Sequence, residues 1–155
     1  ENPPVMVVCE ASAADCLYRS AMKESGDLVN VGGDLQTIMA GLACGEANTI
    51  GWDILRNYVS VFASCPDWMS AKATRIYANP LGNDPHIVSG ESGSVPLGLC
   101  FTALHDEDAK DLKEALKLDE NSNVLVISTE GDTDPVRYRE IVWDGLYGTN
   151  ESLSK

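Results

Sequence analysis

Basic residues are scarce in this chain. Eleven Lys and Arg stand against 24 Asp and Glu, for a formal net charge of −13. A surface of that sign repels phosphate backbones and anionic headgroups, so neither nucleic acid nor a membrane is an expected partner. Histidine is scarcer still. His86 and His105 lie apart from each other and from any carboxylate cluster, which argues against a His-centred triad or metal site. The five cysteines, at 9, 16, 44, 65 and 100, are odd in number, hold no Cys-x-x-Cys pair and show no zinc spacing. That usage fits a reducing compartment, the cytoplasm. Cys9 in an apolar strand and Cys100 on an apolar helix face read as core thiols, and a Cys44–Cys65 bridge stays open. No apolar run approaches the length of a membrane span, and no segment reads as a secretory signal.

What is present is a core. Hydrophobic residues make up 44% of 155, enough for one packed domain and too many for disorder. Val124-Leu125-Val126-Ile127 is the clearest signal: four consecutive apolar, mostly β-branched residues, read as a strand buried on both faces. It stops in Ser128-Thr129-Glu130-Gly131-Asp132-Thr133. Asp134 and Pro135 then read as an N-cap and the first helical position. Such a strand–turn–helix unit is either an ordinary junction or the place where α/β folds put ligands.

Taken in order, residues 5–9 give a second buried strand and 10–15 a polar turn with Ser12 as N-cap. A helix follows, burying Leu17, Ala21 and Met22 and ending near Gly26. A short strand at Leu28-Val29-Asn30 stays open. The stretch 32–46 is rich in glycine and small residues but matches neither a P-loop nor a dinucleotide fingerprint. It reads as a loop leading into a close-packed turn, or as a surface that lets backbone approach a flat ligand. Residues 48–57 predict a helix with Ile50, Ile54 and Leu55 inward, 58–63 a strand, and 67–79 a helix. Glu91 opens a largely apolar helix, where a carboxylate complements the helix dipole. Residues 106–117 predict a charged surface helix, and 136–143 the last helix. Strands alternating with helices argue for an α/β fold with a parallel sheet and helices on both faces.

Three segments stand out in sequence order: Gly33-Asp34-Leu35-Gln36-Thr37-Ile38-Met39-Ala40-Gly41-Leu42-Ala43-Cys44-Gly45-Glu46, Ser89-Gly90-Glu91-Ser92-Gly93, and Ser128 to Pro135. With Glu10 to Leu17 and Ile141 to Gly145, they resemble the C-terminal part of the diaminopropionate ammonia-lyases. Those are pyridoxal-phosphate enzymes of the tryptophan synthase β-like fold (fold type II). The resemblance runs from about Asn2 to Gly145. It implies α,β-elimination, turning 2,3-diaminopropionate into pyruvate and ammonia, with pyridoxal 5'-phosphate as the electron sink. It also implies a small amino-acid substrate and a homodimer.

By the same resemblance Thr129, or its neighbour Ser128, matches the hydroxyl that contacts the pyridine nitrogen. Glu91 matches the glutamate near the ring, and Ala40 and Gly41 match the backbone on the substrate side. No catalytic residue is assigned here. The family's Schiff-base lysine and phosphate loop match nothing in this chain and are expected upstream of residue 1. No metal is predicted, because Cys16 stands where related serine racemases have a carboxylate. Residues 1–145 are thus expected to be the C-terminal part of a lyase domain and 146–155 a tail. A threonine or serine dehydratase fragment, or a non-catalytic module without cofactor, are the alternatives.

Overall fold

The computed structural model describes residues 3–148, so the expected tail from 149 onward lies outside the described residues. The frame is a pair of parallel strands, β1 (Val7–Ala11) and β2 (Val61–Cys65), in register from Val7 opposite Val61 to Ala11 opposite Cys65. Parallel pairing requires a crossover. Here it carries α1 (Cys16–Met22), the 3-10 turn Ala40–Leu42 and α2 (Thr49–Tyr58). Then come α3 (Asp67–Ala78), α4 (Glu91–His105), α5 (Lys110–Ala115) and α6 (Pro135–Val142).

The core forms where one sheet face, the loop before Ala40 and α4 meet. Ala11, Ala63 and Cys65 from the strands pack with Met39, Val95 and Leu99. Small strand residues leave room for Met39, which is fully buried although it comes from a loop. α4 lies along α3, and the two approach closely at Gly98, where a Cβ would stand 2.2 Å from the Met69 carbonyl oxygen. The Ser70 hydroxyl donates to the Glu91 carbonyl, tying the same helices together at α4's first turn. α6 packs on α3, and the Arg75 guanidinium donates to the carbonyls of Ile141, Leu146 and Tyr147. The first residues of the expected tail are therefore docked.

At the end of β1, Glu10 accepts the Leu17 and Tyr18 N–H groups at 3.0 and 2.6 Å, satisfying donors that the start of α1 leaves free. Asp15, not Ser12, is the α1 cap residue, and its carboxylate accepts from Arg19 and Ser64, each at 2.7 Å. Cys16 and Ser20 are buried on α1, whereas Ala21 and Met22 are exposed. On α2 the inward side chain is Trp52, 5.7 Å from the Phe62 ring and donating to the Gly26 carbonyl. Ile50 and Ile54 face outward instead. All five cysteines are free; Cys44 is exposed and Cys65 buried, so they form no bridge.

The largest departure concerns residues 124–127, which form no strand. Val124, Leu125 and Ile127 are 52%, 86% and 67% exposed. An apolar, β-branched run gains from extension only when sheet neighbours cover it. The sheet here ends with β1 and β2, and this segment lies outside it. The Leu28 to Asn30 stretch is not a strand either.

Candidate functional site

Polar groups converge on the first turn of α4. A helix start leaves N–H donors without intrahelical partners and attracts negative charge. Glu130 meets both demands, its Oε1 accepting the N–H groups of Ser92 and Gly93 at 2.7 and 3.3 Å. The Gly90 N–H donates to the Glu130 carbonyl at 3.1 Å. Only glycine fits at 90, because a Cβ there would lie 2.4 Å from the Gly131 carbonyl oxygen. The Ser89 and Ser128 hydroxyls share a hydrogen bond of 2.7 Å. From the other side, the Gly41 N–H donates to the Ser92 hydroxyl at 3.1 Å.

These contacts border a cavity of about 450 Å3, lined among others by Thr37, Ala40, Asp67, Glu91, Glu130 and Arg137. Glu91 is buried, and its Oε1 has no hydrogen-bond partner among the described residues. Burial pushes its carboxyl above the ordinary glutamate range, and the nearby Glu130 and Asp134 carboxylates add to the rise. The shift is toward the neutral form, in which a carboxyl can donate a hydrogen bond as well as accept one.

Sequence resemblance singled out Ala40, Gly41, Glu91, Ser128 and Thr129, and the structure gathers all five around the start of α4. Ala40 and Glu91 line the cavity. Gly41 bonds Ser92 in α4, and Ser128 bonds Ser89 just before it. The Thr129 N–H lies 3.0 Å from where a Gly93 Cβ would be, and its side chain is on the exposed surface. Ser128 is thus committed to Ser89, while Thr129 stands open. Glu130, Asp67 and Arg137 were not picked out from sequence. Glu130 follows Thr129 directly and could have been found as a cap acceptor, but Asp67 acts on a segment about 30 residues away.

Toward an aromatic cofactor, the cavity could offer polar groups along one side. It offers the unpartnered Glu91 carboxyl, the Thr37 and Thr133 hydroxyls, the Ala40 backbone and the Arg137 guanidinium, beside the carboxylates of Asp67, Glu130 and Asp134; Ser128 and Thr129 lie outside the lining. None of the described lysines lines it; Lys72, for example, sits over the Phe101 ring at 5.0 Å. No group of three or more His, Cys, Asp or Glu side chains suited to a metal ion occurs among the described residues. No helix among them is long and apolar enough to cross a membrane.

Comparison with known proteins decides the kinship. Diaminopropionate ammonia-lyase from Escherichia coli (strain K12) is 54% identical over 141 residues, 91% of this chain. The chain is a homologue of part of diaminopropionate ammonia-lyase. It spans about 35% of that relative's length. A crystal structure of the Escherichia coli ammonia-lyase with an aminoacrylate-PLP azomethine reaction intermediate superposes with a TM-score of 0.82 and 49% identity. It covers 91% of this chain and 35% of that one. A crystal structure of T.th. threonine deaminase aligns with a TM-score of 0.52 and 22% identity over 66% of this chain and 34% of that one, a likeness of fold alone. No family model matches the chain. The arrangement is that of the fold type II pyridoxal-phosphate enzymes: α/β, with parallel strands and crossover helices.

Proposed function

We propose that this chain is the C-terminal part of a pyridoxal-phosphate-dependent ammonia-lyase acting on 2,3-diaminopropionate. The observation that carries the reading is 54% identity over 91% of the chain to an enzyme of that activity. The convergence of Glu91, Ala40, Gly41, Ser128 and Thr129 on one helix start supports it. The likeness to threonine deaminase is far weaker, which disfavours a dehydratase. The five free cysteines suit a cytoplasmic enzyme. Its working form is a homodimer. The remaining two thirds, upstream in the same protein, carry the lysine and the phosphate loop.

When bound, pyridoxal phosphate supplies the electron sink that makes loss of the α-proton feasible. This chain's residues bind and orient. The Thr129 hydroxyl would contact the pyridine nitrogen, with Ser128 held beside it by Ser89. A hydroxyl is neutral and does not enforce a charged ring, which moderates the sink and favours elimination over transamination. Glu91, buried and biased toward its neutral form, would face the ring from the helix start. The Ala40 and Gly41 backbone lines the substrate side.

The test is Thr129→Ala in the full-length protein. Elimination activity and cofactor affinity should both fall, by about tenfold for one lost hydrogen bond near a charged site. Unchanged kinetics and affinity would remove Thr129 from the site.

A further inference from the structure

The loop that carries Ala40 and Gly41 has little regular structure of its own, yet it is fixed at both ends and in the middle. The Val31 N–H donates to the Gly45 carbonyl at 2.8 Å, so the ends of the loop meet. Inside it, one carboxylate takes two donors. The Thr37 hydroxyl donates to Oδ1 of Asp67, and the Ile38 N–H donates to Oδ2 at 3.2 Å. The Thr37 oxygen in turn accepts the Met39 N–H at 3.1 Å. Asp67 is the first residue of α3, where the helix dipole stabilises a carboxylate and α3 itself is packed against α4. Thr37, Ile38, Ala40, Asp67 and Glu91 all line the same cavity. The rigid helix pair is therefore connected, through one carboxylate, to the loop residues that border the cavity. Met39, buried at the centre of the core, anchors the loop's far side.

We infer that Asp67 is a positioning residue for the substrate: it clasps Thr37 and Ile38 and so sets where the Ala40–Gly41 backbone stands. The inference rests on the ammonia-lyase reading above. Asp67 lines the cavity, but both of its carboxylate oxygens are taken by Thr37 and Ile38, so it acts through the loop. Its two oxygens are matched to two donors of fixed direction. Thr37→Val removes one donor to Asp67, together with the acceptor for the Met39 N–H, and leaves the shape. Thr37→Ser restores the hydroxyl. Asp67→Asn replaces one of the two acceptors with a donor that opposes the loop.

The experiment uses the full-length holoenzyme with 2,3-diaminopropionate. Thr37→Val and Asp67→Asn should each raise KM about tenfold, the scale of one lost hydrogen bond to a charged group. The bound cofactor's absorbance should stay unchanged, and Thr37→Ser should return KM to within about threefold of wild type by the same scale. Hydrogen exchange at the Ile38 and Met39 amides should speed up in the first two variants and not in Thr37→Ser. Wild-type KM in Thr37→Val and Asp67→Asn would overturn the clasp. So would losses in kcat, cofactor binding and melting temperature that Thr37→Ser fails to rescue, since those mark a merely structural residue. A wild-type enzyme inactive on 2,3-diaminopropionate overturns the ammonia-lyase reading instead, and the substrate role of the clasp falls with it.

Discussion

Glu91 carries a buried carboxyl oxygen that no described group satisfies. Its folded-state affinity for protons is raised, chiefly by burial and then by Glu130 and Asp134. The fold therefore favours the neutral acid. As pH rises from the ordinary glutamate range through the raised folded value, the unfolded chain ionises first and the folded state loses stability relative to it. Glu91→Gln keeps the shape and removes the charge. Its melting temperature should exceed wild type by more at pH 8 than at pH 4, measured by calorimetry on the full-length protein. A difference that stays flat with pH would contradict a burdened carboxylate. The residue's place at the head of an apolar helix was legible from its flanking glycines. Its unpartnered oxygen was not, because that depends on Glu130 turning instead to the Ser92 and Gly93 N–H groups.

Among the elements, the α3–α4 pair does most to hold the site in place. Its close approach at Gly98 leaves no space for a methyl group against the Met69 carbonyl. Gly98→Ala should cost about 1–3 kcal/mol, the usual penalty of overpacking, read as a lowered melting temperature. Gly32→Ala, where nothing lies within 4 Å, serves as the control and should be nearly neutral. Equal melting temperatures for the two variants would count against the packing argument. Local chemistry made several elements readable in advance. Asp134 caps α6 by accepting the Arg137 N–H at 3.0 Å, and Pro135 takes the first helical position. The face of α2 was not readable. Ile50 and Ile54 suggested an inward stripe, but Trp52 packs on Phe62 and turns both isoleucines outward. β2 starts at Val61 because α2 runs on to Tyr58.

At the scale of the whole molecule, the exposed apolar run at 124–127 and the two-stranded sheet describe a surface that the rest of a larger enzyme would cover. The chain spans about 35% of its homologue's length, which leaves ample sequence to supply neighbouring strands. The sequence marked this run as buried strand from composition alone. Among the described residues no sheet neighbour covers it, so it forms no strand and stays exposed, an outcome that local signals do not carry. In the full-length protein the backbone amides of 124–127 should resist hydrogen exchange, and in the isolated 155-residue chain they should exchange rapidly. Protection in the isolated chain would show that the run finds its partners here. The proposed role of this chain, completing an ammonia-lyase for 2,3-diaminopropionate, is tested by pyruvate release from the purified full-length protein. Repeated turnover is expected on 2,3-diaminopropionate, with much slower release from serine or threonine and none from the isolated chain. Serine or threonine as the preferred substrate, or turnover by the isolated chain, would contradict it.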